Sequence, residues 1–174
     1  MHLPSCTDMF DRRRLESAFV ALTERARHDA DALDTDALDA AQRLLDLGIG
    51  LMPAARTSAG PFQVQPMACR GHDLPARATR LAASPDTVLF SVGYPRELPT
   101  ATETHALHIV WFNLDSLTGG TTLMTSGGCV RGPGAAMRVA MVMAGRGGVV
   151  AAISYGSPGA AQVHDGRPGF IYMH

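Results

Sequence analysis

The spacing of hydrophobic positions changes at about residue 88, and the change divides the chain. Before it, Leu15, Phe19, Leu22 and Ala26 recur at helical intervals while Arg12, Arg13, Glu24 and Arg25 fall on other faces. That spacing predicts an amphipathic helix over 8–31. Thr7 or Asp8 can cap it, because a short side-chain oxygen accepts from the orphan amides of a first turn. A second helix is predicted over 36–47, with Asp34, Thr35 and Asp36 as caps and Leu38, Ala41, Leu44 and Leu45 as its apolar stripe. Asp39 sits favourably near its positive dipole end, and Gly48 and Gly50 stop it. The stretch PAARTSAGP, 53–61, reads as a loop. Pro75 in a first turn predicts a short third helix over 75–83.

After residue 88 the period is two. Val88, Phe90, Val92 and Tyr94 alternate with smaller residues. LHIVWFNL, 107–114, is apolar on both faces and reads as a central strand. MRVAMVMA, 137–144, and VVAAISYG, 149–156, flank GRGG, which reads as a hairpin turn. GFIYMH, 169–174, is a last short strand. Helices followed by strands predict an α+β fold, with the N-terminal helices packed on one face of a mostly antiparallel β-sheet. One domain is expected over 1–174: a helical part 8–50, a loop 51–62 and a mostly β part 63–174. Its core should bring Phe19, Leu22, Leu44 and Leu45 against Phe90, Val110 and Phe112.

Composition narrows the chemistry. Of 174 residues 46% are apolar and 18% charged, a globular balance. The net charge of −1 gives no field that would recruit nucleic acid or an anionic membrane. All 15 basic residues are arginine. Without lysine there is no P-loop, no pyridoxal Schiff base and no kinase strand lysine. A GC-rich genome accounts for the absence, since Ala, Gly, Arg and Asp usage is skewed the same way. Escape from ubiquitination by a bacterial protein delivered into a eukaryotic cell is the sharper reading. Three cysteines, Cys6, Cys69 and Cys129, are too few for a disulfide framework. The first residues carry no apolar run of the signal-peptide kind. The expected location is therefore cytoplasmic, with export through a dedicated secretion system as the variant.

Four groups of residues have chemistry to offer. TTLMTSGGCV, 121–130, runs through hydroxyls and two glycines into Cys129. A thiol nucleophile needs a lowered pKa, a base and oxyanion donors. Gly127 and Gly128 can free backbone amides, and Thr121, Thr122, Thr125 or Ser126 can add a hydroxyl. His108 is the favoured base because a central strand would hold it. His105 and His164 are the others, and Asp115 could orient an imidazole. This stretch resembles the glycine–cysteine turn of bacterial glutamine deamidases of the chemotaxis-receptor and cytotoxic-necrotizing-factor kinds. The resemblance covers about ten residues and implies roles for Thr125 and Cys129 only. The next two strands carry no histidine, and Ser154 stands where one would be wanted. The bland reading makes Cys129 a small buried residue beside a Gly-Gly turn.

Second, Cys69-x-x-His72 and His105-x-x-His108 supply four zinc-compatible ligands. If 105–108 is extended, positions i and i+3 point to opposite faces, which opposes joint ligation. No metal or cofactor is expected. Third, the glycine pairs of 132–137 and 145–150 sit before or between strands, so they read as turns, not dinucleotide fingerprints. Fourth, Trp111 shares a strand face with His105, Leu107, Ile109 and Asn113, as a core aromatic does. Arg12, Arg13 and Arg14 read as a solvated helix face.

The favoured reading is a small soluble bacterial protein working through macromolecular contacts, with another protein as partner: a secreted effector, a toxin-neutralising partner or a regulator. The alternative is a thiol-dependent amide hydrolase or deamidase with Cys129, His108 and Thr125 as its site. The oligomeric state is left open. An exposed apolar patch or a bare strand edge would mark the first; a histidine beside Cys129 would mark the second.

Overall fold

The computed structural model describes residues 12–28, 34–46, 68–69, 72–73, 76–95, 107–127, 135–155 and 169–173. Two helices come first: α1, Arg12–His28, and α2, Thr35–Asp46. The strands are β1 (Ala68–Cys69), β2 (His72–Asp73), β3 (Ala76–Leu81), β4 (Ser84–Pro95), β5 (Leu107–Asn113), β6 (Thr118–Leu123), β7 (Thr125–Gly127), β8 (Ala135–Met143), β9 (Gly147–Tyr155) and β10 (Gly169–Met173). The class is α+β, as the change of period implied. At the start of α2 the Asp34 carboxylate accepts from the Ala37 amide at 3.0 Å, so Asp34 is the cap. The caps and stops proposed at Thr7, Asp8, Gly48 and Gly50, and the loop 51–62, lie outside the described residues.

The strands form two antiparallel four-stranded sheets, ordered β10–β9–β5–β6 and β3–β4–β8–β7, plus the small β1–β2 pair. The inner faces of the two sheets pack on each other through Val88, Phe90, Val92, Ile109, Ala140, Val142, Val149, Ala151, Ile153 and Met173. The other face of the β5 sheet carries Val110, Phe112, Val150 and Ala152, and the helices cover it with Leu15, Leu22 and Leu44. Ala37, Ala40 and Ala41 of α2 are fully buried. Their small side chains let that helix approach the sheet closely. The helix residues Phe19, Leu22, Leu44 and Leu45 do meet Val110 and Phe112, but Phe90 belongs to the inter-sheet core on the other side. One sheet thus shares its two faces between two cores.

Two local expectations give way, and one unassigned stretch proves to be strand. Residues 76–81 are strand, not helix. In ARATRL the alternation places Ala78 in the core opposite Phe90 and leaves Arg77 and Thr79 outside, and this packing overrides the proline signal. The hydroxyl-rich stretch, to which no element was assigned, is mostly strand, β6 and β7, and the Gly-Gly turn expected after it runs beyond the described residues. GRGG is not a hairpin: β8 pairs with β4 and β7, whereas β9 pairs with β5 and β10. The connection crosses from one sheet to the other.

Polar atoms fasten that crossing. Asn113 is fully buried. Its amide nitrogen donates to the carbonyls of Ala144 (2.6 Å) and Arg146 (2.8 Å). Its oxygen accepts from the amides of Asp115 (2.9 Å) and Ser116 (3.1 Å). Asp115 then accepts from the Gly148 amide at 2.7 Å. Gly145 and Gly147, at φ 72° and 115°, take conformations that side chains resist. The turn after β5 and the crossing after β8 are therefore held as one unit.

Candidate functional site

Of the residues of the proposed thiol site, His108 and Thr125 are described, and they lie on different sheets. His108 lies on β5, between β9 and β6, and is buried. It shares the helix-facing side of the sheet with Val110 and Phe112, opposite the buried Ser154 of β9. Thr125 is exposed on β7, opposite Val139 of β8. That places it on the outward face of the other sheet. His108 and Thr125 thus point away from each other on two sheets about 10 Å apart, and no single substrate atom lies within reach of both. Asp115 is no closer to His108: residues 108 to 113 alone span roughly 17 Å of strand. Asp115 is engaged instead with Gly148 and, at 3.5 Å, with Arg14.

Cys129, His105 and His164 lie outside the described residues, as does Cys6. Cys69 and His72 are register partners across β1–β2, which brings that Cys-x-x-His pair together at the backbone level. Among the described residues no group of three His, Cys, Asp or Glu side chains is placed to hold one ion. Trp111 is partly buried against the inter-sheet core, as expected. Arg13 and Arg14 are exposed on α1. A depression lined by Arg13, Glu16, Ser17, Val20, Ala21 and Glu24 is one open face of that single helix. No helix among the described residues is long and apolar enough to cross a membrane.

The feature that sequence reasoning missed is the outward face of the β4–β8 sheet. Alternation along β8 sends Arg138, Ala140 and Val142 one way and Met137, Val139, Met141 and Met143 the other. Ala140 and Val142 are buried, but Met141 is 66% and Met143 82% exposed. Those two are the most exposed large apolar side chains among the described residues. Leu89 of β4 stands opposite Met141, and Thr87 opposite Met143. Small neighbours flank the lower half of the stripe: Ser91 and Gly93 on β4, Thr125 and Gly127 on β7. A Cβ on Gly127 would come within 2.8 Å of Val139, so the glycine keeps this ridge free of crowding. No described helix covers this face.

The fold and this face define a class: an α+β two-sheet protein with one outer face closed by its own helices and an exposed methionine stripe on the other, over which no described helix lies. No family model, curated protein or solved structure matches the chain.

Proposed function

We propose that this chain is a binding protein that docks another protein on the methionine-rich outer face of the β4–β8 sheet. The observation that carries the reading is the exposure of Met141 and Met143 in one stripe with Met137 and Val139. Contiguous apolar surface of this kind is uncommon on proteins that work alone. Methionine suits such a surface because its unbranched, polarizable side chain adapts to the shape of a partner. Effector, toxin-neutralising partner and regulator are the roles that act through such a face. The deamidase reading draws no support from the placement of His108 and Thr125 on opposite sides.

A photo-crosslinking residue at position 141, compared with one at exposed Ser116, tests the proposal in cells producing the chain. A discrete adduct is expected at 141 and not at 116. With the captured protein purified, M141S/M143S should weaken binding about 10- to 100-fold by removing apolar contact. Equal adducts at both positions, or unchanged affinity in the double variant together with loss of cellular activity in Cys129→Ala, would overturn it.

A further inference from the structure

The described methionines divide sharply by access to solvent. Met124 and Met173 are 3% and 1% exposed and lie in the inter-sheet core. Met137 is half-buried. Met141 and Met143 are 66% and 82% exposed, at alternate positions on the outward face of β8. Oxidation of a thioether follows the access of oxidant and water to the sulfur, so these two sulfurs are open to it and the core pair is shielded.

The position of the two decides what oxidation would do. A sulfoxide in the core would have to be buried and would disturb the packing. At 141 and 143 it would stand in water on an intact strand, because Ala140 and Val142 anchor β8 from the inner side and all nine of its residues pair with β4. The face itself would change. Its stripe of Met137, Val139, Met141 and Met143 would carry a polar oxygen at two of the four positions. The side chains directly opposite have no donor to spare. Leu89 stands across from Met141; Thr87, across from Met143, already bonds its hydroxyl to that of Ser84 at 2.7 Å. The arginines nearest in sequence, Arg138 and Arg146, are engaged with Ser126 and Asp86. A sulfoxide here takes its hydrogen bonds from water, and a protein that covers the face removes them.

We propose that Met141 and Met143 form a reversible oxidation site that turns the docking face from apolar to polar. The inference rests on the docking reading of that face. The oxidant is a hydroperoxide. With hydrogen peroxide, one oxygen bonds to the thioether sulfur as the O–O bond breaks. The sulfur gives up two electrons, and the other oxygen takes both protons and leaves as water. The return step takes a methionine sulfoxide reductase and two thiols: the sulfoxide oxygen leaves as water and the thiols join as a disulfide.

Peroxide treatment of the purified chain at neutral pH, followed by peptide mass spectrometry, tests the site. Met141 and Met143 should each gain one oxygen at least ~10-fold faster than Met124 and Met173. Circular dichroism should stay unchanged while retention on a hydrophobic column falls. The two reductases, one for each sulfoxide epimer, should restore retention in the presence of dithiothreitol. M141L/M143L, apolar but without sulfur at these positions, should lose most of the response to peroxide. With the crosslinked protein purified, oxidation should weaken its binding about 10- to 100-fold. Oxidation of the core pair at the same rate, or unchanged retention, would overturn the inference. Unchanged affinity after oxidation, where M141S/M143S does weaken binding, would overturn it and leave the docking reading standing. Affinity indifferent to both oxidation and M141S/M143S would remove the docking reading, and the oxidation switch with it.

Discussion

β5 and β8 are both apolar on their two faces, and the protein treats them differently. β5 is buried on both sides, by the helices through Val110 and Phe112 and by the second sheet through Leu107 and Ile109. β8 is buried on one side through Ala140 and Val142, while Met141 and Met143 face outward. A helix over β8 would have made the molecule symmetric in layers, but both described helices lie on the other sheet. The lesson is that a two-sided apolar strand encodes the capacity to be covered. Whether the cover comes from the same chain or from another is decided by where the helices dock. The two sheets also differ in side-chain choice. β5 offers branched and aromatic side chains, which fill fixed spaces, and β8 offers methionine outward, which fills variable ones.

Substitutions on the two outer faces should separate them most widely. Phe112 is fully buried beneath the helices, and Phe112→Ala should cost about 3–5 kcal/mol in stability. Leu22→Ala on the helix side, 2% exposed, should cost about 2–5 kcal/mol. Met143→Ala, on the open face, should stay within about 0.5 kcal/mol of the parent. Urea unfolding of the three variants measures this. A large loss for Met143→Ala would mean that its face is covered within the free chain, and the contrast would collapse.

The next effect comes from the seam between the sheets. Asn113→Ala removes a side chain that satisfies two carbonyls and two amides. A loss of about 2–3 kcal/mol is expected, since each buried polar group left unpaired costs about 1–3 kcal/mol and relaxation recovers some of it. Gly147→Ala tests the same seam from the other strand. Its φ of 115° is unfavourable for alanine, and the new methyl would run into the Asp115 carboxylate. Destabilisation should exceed about 1 kcal/mol. If Gly147→Ala were neutral, the crossing would not be fixed by Asp115.

Much of this was legible in the chain. Helical spacing located α1 and α2, and alternation located β4, β5, β8, β9 and β10 within a few residues. The α+β class follows from that order. The partition of strands between sheets was not legible, because GRGG has the same residues whether its flanking strands pair or pass to separate layers. The distinction depends on Asn113, which is 31 residues from Ala144 in sequence. β3 was misread because Pro75 is as suitable before a strand as in a first helical turn. β6 and β7 were not assigned because Thr and Gly serve turns as well as edges. The glycines of β6 have a local reason: a Cβ at Gly119 would lie 2.7 Å from the Phe112 ring. The open methionine face was hidden by the same ambiguity that makes β5 and β8 look alike. Of the thiol site, the sequence offered residue types but not their directions. The two sheets give His108 and Thr125 opposite ones.

The smallest effect should be at Arg14. Its guanidinium lies 3.5 Å from the Asp115 carboxylate, and the two side chains are 42% and 46% exposed. An ion pair so open to solvent gains little Coulomb energy, costs side-chain entropy and is screened by salt. Arg14→Ala should therefore change stability by no more than about 0.5 kcal/mol, and less still in high salt. Asp115→Ala should cost more, because it also releases the Gly148 amide at the seam. The difference between the two variants isolates that amide bond from the ion pair. Urea unfolding at low and high salt measures both. If Arg14→Ala matched Asp115→Ala, the helix would be fastening the crossing through the ion pair. The seam and the helix-covered face would then be one structural unit, and the contrast with the open face would extend to the whole end of the molecule.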